Sequence, residues 1–118
     1  VKAVSEYLKG AVEVPHHRTL VIVGAQTPVD DKGKTPAAFT EQCRLVWAKV
    51  ADALAEKNLE PRHIVAVETD LTARDHLADA VAEQQRHVRH QVAQTVRVVG
   101  LSDEGWHLQV AVVAARTR

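Results

Sequence analysis

From Phe39 onward, apolar residues fall at Phe39, Cys43, Val46, Trp47, Val50 and Leu54. Steps of three and four put them all on one stripe of an α-helix. A helix with one apolar stripe must cover another element, and the flanking segments are short β-branched runs suited to a sheet. Thr35 can cap this helix and Pro36 suits its first turn, while Asn58 and Pro61 supply the stop. The next run, Ile64 to Leu71, alternates. Val65, Val67, Thr69 and Leu71 form a wholly apolar or β-branched face, whereas Ile64, Ala66, Glu68 and Asp70 form a face that turns acidic. That pattern is a strand packed on one side.

The rest of the chain extends the same logic. Ala11–Val14 and Thr19–Val23, separated by Pro15, His16, His17 and Arg18, have the composition of a hairpin, and Val29–Lys34 that of a loop. A second, more polar helix is expected over about Arg74–His90, with Leu77, Val81, Gln84 and Val88 as its stripe. Thr95–Val99 and Trp106–Ala114, joined across Gly100–Gly105, are expected to pair as a closing hairpin. The order is β-β-α-β-α-β-β, an α+β class chain with two helices on one face of a mixed sheet.

At 118 residues the chain is the size of one ordinary domain, so residues 1–118 are taken as a single unit. The core must be built of small aliphatics, since Trp, Tyr and Phe number only 2, 1 and 1; association with other copies would bury more apolar area. Lys plus Arg equals Asp plus Glu at 15 each, which leaves no long-range field to draw in nucleic acid or anionic lipid. The longest apolar runs, such as Val110–Ala115, fall far short of the ~20 residues needed to span a bilayer, and no charged-then-apolar leader opens the chain. Together with a lone cysteine, this points to the cytoplasm.

Few residues announce chemistry. Cys43 lies on the apolar stripe and reads as a small buried hydrophobe rather than a nucleophile. His87 and His90, three apart on the expected helix, lack companions with ligand spacing, so a solvated helix end outweighs a metal site. His107 could work as acid or base near neutral pH if it faced a cleft. Arg86, Arg89 and Arg97 form a modest basic set whose default is solvent. No metal and no cofactor is called for.

Local matches spread along nearly the whole chain resemble the reactive-intermediate deaminase (RidA, or YjgF) family. They comprise Tyr7-Leu8-Lys9-Gly10-Ala11-Val12 at the start; Leu20 to Asp30, with Gly24-Ala25-Gln26-Thr27-Pro28 where the family reads Ser-Gly-Gln-x-Pro; Glu41-Gln42 early in the first helix; Asp70-Leu71; and the last strand from Trp106 to Ala114. The resemblance implies a homotrimer with clefts between subunits, in which imines and enamines are hydrolysed to a keto compound and ammonia. Such a site must hold a small carboxylate and orient water while a proton moves.

The resemblance assigns cleft roles to Tyr7 and Gln109 as catalytic candidates, and to Gly24, Gln26, Ala93 and Gln94 as substrate-binding candidates. It also exposes departures. The family's substrate-gripping Arg falls at Ala93 or Gln94, depending on a one-residue gap; its water-orienting carboxylate falls at Gln109; and Val81 stands where Asn is usual. The implied function is binding of a small metabolite at an intersubunit cleft, with or without imine or enamine hydrolysis. The alternative is a non-catalytic ligand-binding or regulatory trimer. Nucleic-acid cleavage is disfavoured by the neutral charge and the scarcity of stacking aromatics.

Overall fold

The computed structural model describes residue 13 and residues 19–117. The expected strand Ala11–Val14, the turn after it and Tyr7 lie outside the described residues. The elements are β1 (Thr19–Gln26), α1 (Phe39–Ala55), β2 (Ile64–Leu71), α2 (Leu77–His87), β3 (Ala93–Val98) and β4 (Leu108–Arg116), with 3-10 turns at Pro61–His63 and Arg74–His76. Among the described residues no helix is long and apolar enough to cross a membrane.

The expected stripe is the buried face of α1: Cys43, Val46, Trp47, Val50 and Leu54 are all buried. The start differs from expectation. Ala38, not Thr35, occupies the N-cap and has no side-chain cap bond. The preceding loop is fastened instead by Gln42, whose Nε2 donates to Pro36 O at 2.8 Å. The stop is as read: Asn58 adopts φ 61, and the Leu59 N–H reaches back to Leu54 O at 2.9 Å. This left-handed closure leaves Leu59 buried near Leu54.

The sheet runs β1-β4-β2-β3, and here the expected closing hairpin is corrected. β3 pairs parallel with β2, whereas β4 lies antiparallel between β1 and β2. Two physical reasons favour this order. α2 provides the crossover that a parallel β2/β3 pair requires. β4 carries the longest apolar run, with Leu108, Val110, Val112, Ala114 and Ala115 buried, and such a strand belongs in the middle of a sheet. The 99–107 connection therefore passes over the end of β2: the Val99 N–H donates to Leu71 O, and the Thr72 N–H to His107 O.

Both helices cover one face of the sheet. Val23, Val67, Leu71, Leu108, Val110 and Val112 join Val46, Trp47, Val50 and Leu54 in the core. Ile64 belongs to this core too, although simple alternation put it on the other face. The register shifts between Ile64 and Ala66, and a bulge of this kind resets the alternation. α2 is shorter than expected: it ends at His87, and Val88 is extended yet buried.

Among the described residues the opposite face carries no helix. From register it presents Ile22 of β1, Val113 of β4, Ala66 of β2 and Ala93 of β3 in one row. Ile22 is 74% exposed and Leu20 53%, an unusual load of apolar surface for a sheet face left to water.

Candidate functional site

Two rows further along this open face, Arg97, Asp70 and Gln109 stand in register on β3, β2 and β4. Arg97 Nε donates to Asp70 Oδ1 at 2.9 Å and its Nη2 to Oδ2 at 3.3 Å. Gln109 Nε2 donates to the same Oδ2 at 2.8 Å. Asp70 is buried, while the Arg97 side chain stays 55% exposed. The bidentate fork is the strong form of an Arg–carboxylate pair, and the hydrogen bond and charge of Asp70 together push the Arg97 guanidinium up from its ordinary range. The cluster presents a half-solvated cation, a sequestered carboxylate and an amide with one of its two donor hydrogens given to that carboxylate.

Toward β1 the open face becomes apolar. A recess of ≈ 270 Å³ is lined by Ile22, Gly24, Ala66, Glu68, Ala111 and Val113, among others. It sits beside a register shift in β1 between Val23 and Gln26, an extra residue of the kind that re-aims side chains at functional edges. A Cβ at Gly24 would meet nothing within 4 Å, so nothing steric bars a larger residue there. Gln26 turns back on the bulge, its Nε2 donating to Gly24 O at 3.0 Å. The following loop is fixed by Asp30, which accepts from the Lys32 and Lys34 N–H groups, and by Lys49 of α1, whose Nζ donates to Thr27 O and Val29 O.

The expected site residues are only partly brought together. Gly24, Ala93 and Gln109 lie on the open face. Gln94 does not: its Nε2 reaches Thr69 Oγ1 at 3.3 Å, and its Oε1 accepts from Gln84 Nε2 at 2.7 Å, which fixes it on the helix side. Of the two positions that could match the family's Arg, Ala93 is thus the one sharing a face with Gln109. Val81 is buried in α2.

His107 points its chemistry elsewhere. Its N–H donates to Gln42 Oε1 at 2.9 Å, and its ring lies 5.4 Å from His76, which itself stacks on Phe39 at 4.1 Å. His87 and His90 are split by the end of α2. His87 stacks on Trp47 at 5.6 Å, and His90 Nε2 lies 2.6 Å from Ile64 O. No group of three or more metal-ligating side chains forms among the described residues. Cys43 is buried, and that burial, reinforced by Glu83 and Asp79, pushes its thiol up to about 12. Asp70 was the residue whose role sequence reasoning missed; it was visible only as the acidic end of an alternating strand.

No family model and no curated protein matches this sequence. Solved structures do. The chain superposes on the conserved Rid-family protein YyfB from Yersinia pestis with a TM-score of 0.80 at 17% identity, covering 90% of this chain and 84% of that one. The chain has the Rid/YjgF fold. Escherichia coli TdcF with bound serine agrees at a TM-score of 0.75 and 19% identity, over 94% of each chain. A YjgF-family member from Neisseria meningitidis agrees at 0.73 and 17%, over 82% and 79%. On the Rid fold seen here, the helices occupy one side, and the candidate side chains Ala93, Arg97, Asp70 and Gln109 occupy the other.

Proposed function

We propose that this chain is a Rid/YjgF-family protein whose copies associate through their open sheet faces as a homotrimer and bind a small metabolite in the clefts between them. The observation that carries the reading is the Arg97–Asp70–Gln109 row. Arg97 and Asp70 compensate one another, Ala93 on the same face adds no charge and Glu68 adds one carboxylate, so the cleft suits a ligand without net negative charge, held by hydrogen bonds and apolar contact rather than by an unpaired cation. TdcF was solved with serine, a zwitterion of this type, which makes serine the first ligand to try. The exposed Ile22 and Leu20 support association, since a second copy is the simplest cover for an apolar sheet face.

A second reading, hydrolysis of an imine or enamine, is favoured by Asp70. Hydrolysis needs a carboxylate or equivalent to orient water and accept its proton, and Asp70 lies beside Gln109, where the family resemblance places such a group. Feeding imines made in situ by an amino-acid oxidase to the parent, Ala93→Arg and Gln94→Arg proteins tests both readings. Binding without turnover in the parent, and turnover gained only in Ala93→Arg, is the expected result. Turnover in the parent moves the chemistry to Asp70; neither binding nor turnover in any of the three refutes the site.

A further inference from the structure

A second recess, of ≈ 480 Å³, opens at the other end of the sheet, where β2 begins, β4 ends and the chain enters β3. It lies six strand positions from Asp70, about 20 Å along β2, and so is separate from the open-face cluster. Its polar lining is His63, His90, Gln91, Arg62, Arg116 and Thr117, with Glu13 as the acid among them.

The hydrogen bonds already made fix what these groups can offer. His63 Nδ1 accepts the Glu60 N–H at 2.9 Å, so the neutral ring carries its hydrogen on Nε2 as a donor. His90 Nε2 lies 2.6 Å from the carbonyl of Ile64, which can only accept, so this ring is oriented with its hydrogen on Nε2. Arg116 Nη1 donates to Asn58 O at 2.8 Å, while its Nε is buried and has no hydrogen-bond partner among the described residues. Arg62 Nε is spent on Glu60 Oε2 at 3.0 Å, but that side chain is 72% exposed and a guanidinium keeps further donors. The recess therefore sets two guanidinium groups and the His63 donor against the Glu13 carboxylate, with Arg62 also paired to Glu60, and Arg116 is the cation of the lining with no carboxylate paired to it among the described residues. A buried guanidinium N–H left unpaired is unusual in a folded protein and marks Arg116 as the under-satisfied cation of this lining.

We propose that this recess binds a small organic or inorganic oxyanion, a carboxylate or a phosphate, through Arg116, His63 and Arg62. Amide and histidine NMR of the parent, titrated separately with sodium phosphate and sodium succinate against sodium chloride at equal ionic strength, tests it. Saturable shifts confined to His63, His90, Gln91 and the 115–117 amides are expected with at least one of the two; a response to phosphate alone or to succinate alone assigns the headgroup. An Arg116→Gln/His63→Gln protein should bind the responding anion at least tenfold more weakly, and the exposed Arg62→Gln several-fold more weakly should the double variant fail to fold. Shifts reproduced by chloride, shifts scattered outside the recess, or unchanged affinity in the variants overturns the proposal.

Discussion

Replacing Gln42 with Leu isolates the interaction that ties α1 to both ends of the site's scaffold. The Gln42 side chain is fully buried. It donates to Pro36 O and Gly105 O at 2.8 and 2.9 Å, and it accepts the His107 N–H at 2.9 Å. Leucine fills nearly the same volume, so the cavity contribution is small and the cost is that of the stranded partners, about 1–3 kcal/mol for each that stays buried. Gly105 is exposed and Pro36 half-buried, so their carbonyls can turn to water; the His107 N–H, held at the start of β4, has less freedom. The expected loss is about 3 kcal/mol, a large share of the ~5–15 kcal/mol typical of a domain. With a urea m-value of about 2 kcal/mol/M, the midpoint falls by about 1.5 M, readable by tryptophan fluorescence. Gln42→Glu should be worse still at neutral pH, because a carboxylate would face two carbonyl oxygens, and should recover in acid as it gains a donor. A Gln42→Leu midpoint within about 0.5 M of the parent would refute the assignment of a clamp to this side chain.

Cys43, with its thiol pushed up to about 12 by burial, should be alkylated by iodoacetamide at pH 8 over ~10³-fold more slowly in the native state than after unfolding; equal rates would place it at the surface. Burial also lowers the His87 imidazole below its ordinary value, with Arg86 adding to the effect and Glu83 opposing it. The unfolded chain then takes up the proton first as pH falls, so this contribution is complete above about 6.5 and declines below it until the folded pKa is passed. Parent minus His87→Phe stability, measured by urea melts from pH 7.5 to 5, should decline toward acid, and a flat difference would contradict the sign. Ile22→Lys, on a 74% exposed side chain, should lower the sedimentation coefficient and remove any concentration dependence of the unfolding midpoint, as association through this face requires; an unchanged sedimentation coefficient would contradict the proposed association. Gln109→Glu should destabilise the fold by about 1–2 kcal/mol through repulsion with Asp70, and adding Asp70→Asn should restore most of it, a non-additivity measured by a double-mutant cycle.

The elements were legible wherever one periodicity ran long enough. β2 matches its expected limits, and the α1 stripe is buried from Cys43 to Leu54 with Phe39 half-buried at its start, because burial of one face leaves a direct trace in composition. What the pattern could not carry was pairing. Thr95–Val99 and Trp106–Ala114 are joined by a turn-rich link that suits a hairpin, and nothing local distinguishes a two-strand turn from a connection that steps over β2. The deciding information is non-local: α2 between β2 and β3 implies a parallel neighbour, and β4's apolar run asks for a central place. The same gap hid the site. Asp70 and Arg97 were each visible, but only the β2/β3 register sets them side by side, and only the phase of β3 separates Ala93 from Gln94 across the sheet.

That register also changes how the departures from the family pattern read. Taken singly along the chain, an amide at Gln109 and a neutral residue at Ala93 are losses of charge. On the folded sheet they are linked through Asp70. With a carboxylate already buried on β2 at 2.8 Å from the Gln109 side chain, a second acid at position 109 could not ionise freely, because two carboxylates at that spacing share one charge; an amide donates where an acid would repel. Arg97, two positions along in the same β3 phase as Ala93, then supplies the cation that Asp70 requires. On the proposed reading, groups that would grip a ligand's carboxylate are replaced on this face by groups that satisfy each other. On the proposed reading a ligand would meet the paired Arg97 and Asp70 beside the exposed Glu68 carboxylate, and its recognition would rest on shape, on Glu68 at the rim of the apolar recess and on the donors Arg97 has left over.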